Sequence, residues 1–213
     1  MPERINTQRA NTLHLSARCL NKNVAKQKGM TFIEVLIALF IIVTGILGAV
    51  AMQATAKKGS FDAMQRSLAS ALAQDILERM RSNDARPING VLNTYEGEYG
   101  EVAPGPAPAP ACNTPGTLCT SAEMVATDLY QWTQLLRGAN VTSAGQNVGG
   151  LINAIGCVTE LNNAVTVTVS WQGRTSTKDG AAAAAAGAVF ATNPGCGTAS
   201  DQRRQVHIQA FIF

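Results

Sequence analysis

Three kinds of hydrophobic patterning succeed one another along the chain. Met30 to Met52, MTFIEVLIALFIIVTGILGAVAM, is apolar on every side of a helix, with Glu34 as its only charge. Beyond it Phe61, Met64, Leu68, Leu72, Ile76 and Met80 recur every three or four residues, so the helix continues with one apolar face, while Asp62, Gln65, Arg66, Gln74, Glu78 and Arg81 take the others. Ser82-Asn83-Asp84 followed by Pro87 ends the pattern. A helix from Thr31 to about Asn83 would be roughly 80 Å long, more than a small domain needs.

Val102 to Pro110 carries proline at alternate positions, which excludes a helix or central strand and predicts a surface loop. Thr120-Ser121-Ala122-Glu123 reads as a capping box for a second helix over about 121–137, with Val125, Leu129, Trp132 and Leu136 on its core face. From Ile152 the period becomes two. Ile152 to Glu160 and the Val165, Val167, Val169, Trp171 strand form a hairpin around Asn162-Asn163, and Arg203 to Phe213 adds a strand through Val206, Ile208, Ala210 and Ile212. Lys178-Asp179-Gly180 and Ala181 to Ala186 read as a turn and an insertion between strands.

Charge sharpens this picture. Residues 1–29 hold Arg4, Arg9, Arg18, Lys22, Lys26 and Lys28 against Glu3, a local +5 in a chain whose formal charge is +3, so the remainder sums to −2. A basic nucleic-acid-binding body is thereby disfavoured, and no nucleic-acid partner is expected. The basic leader before an apolar run places the leader in the cytoplasm and the body outside. Val35 to Met52 would cover about 27 Å, close to a bilayer's hydrocarbon thickness. An ordinary cleaved signal peptide is the competing reading, since Ala49-Val50-Ala51 and Ala54-Thr55-Ala56 imitate cleavage sites, but its apolar region would be shorter.

Histidine and cysteine limit the chemistry further. His14 lies in the leader and His207 in the last strand, so zinc sites built on His pairs and His-based nucleophilic triads find no partners. No phosphate loop, metal cluster or nucleophile-base pair occurs, and neither an enzyme nor a cofactor is expected. Apart from Cys19 of the leader, Cys112, Cys119, Cys157 and Cys196 form an even set without a CxxC, as expected of two disulfides in an oxidising compartment. Three connectivities are open. Cys112 and Cys119 enclose a turn-rich ring, and a Cys157–Cys196 bridge would tie the final strand to the hairpin, which favours that pairing.

An acid inside a membrane helix costs on the order of 2.5–3.5 kcal/mol near the centre and signals function. If the chain were cut before Met30, the new α-amino group of a neighbouring copy could neutralise Glu34 and set the register of an assembly. Lys28-Gly29-Met30-Thr31-Phe32-Ile33-Glu34 before an apolar stretch resembles the class III signal of type IV pilins and pseudopilins, cleaved after the glycine by prepilin peptidase. Met30 stands where that signal more often has Phe, and Phe32 where Leu is commoner. The resemblance continues through Gly45, Gly48 and Gln53 to Ala71-Leu72-Ala73-Gln74-Asp75-Ile76-Leu77-Glu78-Arg79-Met80-Arg81-Ser82-Asn83, which is similar to the PilV family of type IV pilus modification proteins.

This resemblance, which covers Gly29 to Asn83 closely, implies an α+β pilin-like subunit. Its parts would be a leader over 1–29, a long helix over 30–83 with a membrane part near 35–52, a variable loop region over 84–150 with a short helix, and an antiparallel sheet over 151–213. Gly29 and Met30 would flank the cut, Met30 would be N-methylated, and Glu34 would recognise another subunit. The implied partners are prepilin peptidase, other minor pilins, the major pilin and the inner membrane. The implied location is a single pass in that membrane with a periplasmic body, then a surface filament. A minor pseudopilin of a type II secretion system shares the same signal. A membrane-tethered adhesin would instead carry its chemistry in the Pro-rich loop or the alanine insertion. The leader is longer than those typical of the class, and a start at Val24 would leave six residues before the cut.

Overall fold

The uncharged stretch after Glu34 and the amphipathic stretch after it form one helix, α1 (Phe32–Ser82), in the computed structural model, which describes residues 29–83, 90–179 and 193–212. The chain divides into two compact units, residues 1–47 and 48–213. In the first, α1 is exposed throughout, from Phe32 at 79% to Val35 at 40% of full accessibility. Such a helix is long and apolar enough to cross a membrane. Gly45 in this unit and Gly48 in the next both remain helical, and a methyl added at either would meet open space within the chain.

In the second unit α1 becomes a core element from Gln65 onward. Its buried stripe is Gln65, Ala69, Leu72, Ala73, Ile76, Leu77 and Met80. The expected face is thus rotated at its start: Met64 is 60% exposed, and the next residue, Gln65, is buried in its place. Ala69 and Ala73, both fully buried, continue the stripe between the larger side chains, and a stripe counted only from large side chains misses them. The helix ends where Asn83 stops being helical and donates through Nδ2 to Tyr95 Oη at 3.0 Å and to the carbonyl of Ser121 at 3.1 Å. Asp84 and Pro87, which the sequence reading used for this terminus, lie outside the described residues.

A 3-10 turn (Leu92–Tyr95) and β1 (Gly97–Tyr99) follow, then α2 (Ser121–Leu136). The Thr120–Glu123 capping box is formed in both directions. A small hairpin, β2 (Thr142–Ser143) with β3 (Gln146–Asn147), precedes the main strands β4 (Ile155–Leu161), β5 (Ala164–Gln172) and β6 (Arg203–Phe211). The main sheet has the order β1-β4-β5-β6 and is antiparallel throughout. Asn162 and Asn163 both take positive φ, 54° and 67°, as a two-residue hairpin turn with right-handed strand twist requires. The strand begins three residues later than Ile152, after a turn in which Asn153 has φ 49°.

Val165, Val167, Val169 and Trp171 face the core with Val158 of β4, and Val206, Ile208 and Ala210 of β6 pack on the same cluster. Trp132 of α2 is fully buried there and donates through Nε1 to the carbonyl of Leu72 at 2.9 Å, fastening α2 to α1. Gly156 makes room for it: a Cβ at 156 would lie 2.3 Å from the Trp132 ring. This is the α+β arrangement of a pilin-like fold, with a long N-terminal helix, an antiparallel sheet and a short second helix between them. The alanine insertion Ala181 to Ala186 lies outside the described residues, as does Phe213.

Candidate functional site

Glu34 sits in the first turn of α1, and its carboxylate turns back onto Thr31. Oε2 accepts from the Thr31 backbone N–H at 2.8 Å and from the Thr31 hydroxyl at 3.0 Å, while the Glu34 N–H donates to Thr31 Oγ1 at 3.4 Å. This is a capping box with the T-x-x-E spacing of Thr120 and Glu123 in α2. The acid therefore has local donors at a helix start, where the macrodipole favours negative charge. Met30 is 78% exposed beside it, and Gly29 precedes as an exposed residue with no steric neighbour. Gly29, Met30 and Glu34 thus lie together at one accessible helix end. Thr31 was missed in the sequence, although the spacing that revealed the cap of α2 was also present here.

The rest of the sequence-derived candidates are structural. Cys112 is bonded to Cys119, and Cys157 to Cys196, with Cα separations of 5.8 and 5.9 Å. The second bridge links β4 to the segment before β6, and Cys196 is fully buried. His207 stands on β6 opposite Thr168, half-buried, with Nδ1 enclosed and without a hydrogen-bond partner. Burial alone pulls its pKa below the usual histidine value. Among the described residues no group of three metal-ligating side chains comes together.

One polar cluster is not legible in the sequence because, apart from the Asp75–Arg79 pair, its bonds join residues 12 to 52 positions apart. Arg79 bonds Asp75 at 2.8 Å, Asp128 at 3.2 Å and Gln131 at 2.8 Å, and Asp128 also accepts from Tyr95 Oη at 2.8 Å. With Asn83 on Tyr95, the cluster joins the end of α1 to α2 and the 3-10 turn. Burial pushes the Tyr95 phenol strongly upward, and Tyr99 shifts in the same direction for the same reason. The Arg79 guanidinium is held above its usual value by Asp75 and Asp128, against the effect of its partial burial.

Residues 24–50 match the prokaryotic N-terminal methylation motif, the signal of type IV prepilins. No characterised protein and no solved structure matches the chain. The matched segment contains Gly29, Met30 and Glu34 and ends within the exposed part of α1. Such a signal implies processing by prepilin peptidase, and with the apolar N-terminal helix it fits an inner-membrane-anchored, structural protein. Motif, exposed helix and α+β body together support a type IV pilin-like protein.

Proposed function

We propose that the chain is a minor pilin of a type IV pilus, of the PilV type, which helps to prime or modify pilus assembly. It would enter the inner membrane through α1 with its body in the periplasm, be cut between Gly29 and Met30, be N-methylated at Met30, and then join a surface filament with other minor pilins and the major pilin. The observation that carries this reading is Glu34: the lone acid in the apolar, exposed first part of α1, four residues after the proposed first mature position and within the matched methylation motif. In the free chain Thr31 satisfies it. In an assembly, the methylated amine of a neighbour would offer a charged partner and exchange one set of hydrogen bonds for an ion pair in a low-dielectric bundle.

A pseudopilin of a type II secretion system would use the same signal, and the PilV-like sequence Ala71 to Asn83 favours the pilus. Deleting the gene separates the two: loss of surface pili and twitching with intact protein secretion supports the minor pilin, whereas normal piliation with lost secretion overturns it.

A further inference from the structure

Between Glu34 and Lys57 the chain carries no charge, and the first two charges after that stretch are the adjacent cations Lys57 and Lys58, both exposed on α1. One helical turn after Lys57, on the same face, stands Phe61. The guanidinium of Arg174 lies over its ring, with Cζ 4.1 Å from the centroid, so a third cation is delivered to this face from the loop after β5. Among the described residues no carboxylate lies within ion-pair distance of Lys57, Lys58 or Arg174. The nearest acid along α1, Asp62, instead accepts from Thr175 Oγ1 at 3.3 Å. Lys57 and Lys58 precede Phe61 by four and three residues and Arg174 lies over its ring, so three cations that form no ion pair among the described residues flank one side chain in a body that sums to −2. On the other side of the cluster Val50 and Met52 are 54% and 76% exposed. Lys57 follows Met52 by five residues, about 7.5 Å along the helix, which is the depth of a headgroup layer beyond an apolar segment.

We infer that Lys57, Lys58 and Arg174 form a collar that binds anionic phospholipid headgroups in the leaflet on the body's side of the membrane, and so holds the body at a fixed height before assembly. The inference rests on the membrane-crossing reading of α1. A cation near an anionic surface contributes about a five-fold preference, screened by salt.

The test uses the full chain reconstituted in vesicles of equal phosphatidylcholine and phosphatidylglycerol, re-isolated in mild detergent, with the retained lipids counted by mass spectrometry. The wild type should retain phosphatidylglycerol at least ten-fold over phosphatidylcholine in 50 mM salt and lose most of that preference in 0.5 M salt. K57Q/K58Q, which alters only exposed side chains, should lower the ratio at least five-fold, and adding R174Q should bring it to one, while R174K should keep it. Equal retention of the two lipids by the wild type, or an unchanged ratio in the triple variant, overturns the collar. A chain that floats with the vesicles but shows no preference overturns the collar alone, and one that fails to float with any vesicle overturns the membrane reading as well.

Discussion

Glu34 and Thr31 close a reciprocal hydrogen-bonded ring at the start of α1, with the Glu34 carboxylate receiving two donors from Thr31. The isolated acid therefore has hydrogen-bond donors in the free chain, though no cation pairs with it among the described residues. A neighbour's amine would, on the proposed reading, replace Thr31 as donor to the carboxylate and would add the opposite charge that Thr31 lacks. On the proposed reading Glu34→Leu leaves membrane insertion intact, measured by resistance to alkaline extraction, and lowers recovery in sheared fibres at least ten-fold. Normal piliation and incorporation in that variant would remove Glu34 from the account.

Tyr95 carries a second prediction. It donates to Asp128, receives from Asn83, and is fully buried. Its folded pKa lies above the unfolded value of about 10, so the folded state prefers the protonated phenol. That contribution is complete below pH 10 and is lost as pH rises beyond it, when only the unfolded chain ionises readily. Urea unfolding should show stability falling above pH 10. Tyr95→Phe should lower stability at neutral pH by about 1–2 kcal/mol, since Asp128 loses a donor, and should flatten the alkaline limb. Tyr99, raised in the same direction, keeps that limb from vanishing.

Gly156→Ala tests the packing of α2 on the sheet. The added methyl would lie 2.3 Å from Trp132 Cη2 and 2.9 Å from Leu136 Cδ1, both in fully buried side chains. Overpacking of this kind costs about 1–3 kcal/mol. An unchanged urea midpoint would mean that Trp132 moves aside freely, contrary to its bond to Leu72.

The two disulfides should differ in worth. Cys157 and Cys196 are 39 positions apart, and Cys112 and Cys119 only 7. Loop-closure entropy alone makes the longer bridge more stabilising by about 1.4 kcal/mol. Replacing Cys157 and Cys196 by Ser should therefore lower the urea midpoint more than the same change at Cys112 and Cys119. The opposite order would mean that the exposed ring organises more of the body than its position suggests.

Local signals in the chain were sufficient for most of the architecture. The period of three to four gave α1, the Thr120–Glu123 spacing gave α2, and Asn162-Asn163 between alternating valines gave the central hairpin. What escaped was either too short to show a period, as with Gly97–Tyr99 and the β2–β3 hairpin, or depended on residues remote in sequence. Arg79, Asp128 and Tyr95 look like ordinary surface and core positions until the fold brings them together. Gln65 reads as a polar-face residue by its type, yet it is 1% exposed, with both amide atoms enclosed and unpartnered. At the candidate site Gly29, Met30 and Glu34 were legible because the signal is contiguous. Thr31 has the same T-x-x-E spacing to Glu34 as Thr120 has to Glu123, but the uncharged run that follows makes the segment read as a membrane span and not as a helix cap.

The measurement that bears most directly on the account is the N-terminal mass of the protein from envelope and sheared-fibre fractions, with and without functional prepilin peptidase. The account predicts a peptide beginning at N-methylated Met30 in both fractions, lost when the peptidase is absent. A start just after Ala51 or Ala56 that does not depend on that peptidase would contradict it, and would make α1's apolar segment an ordinary export signal.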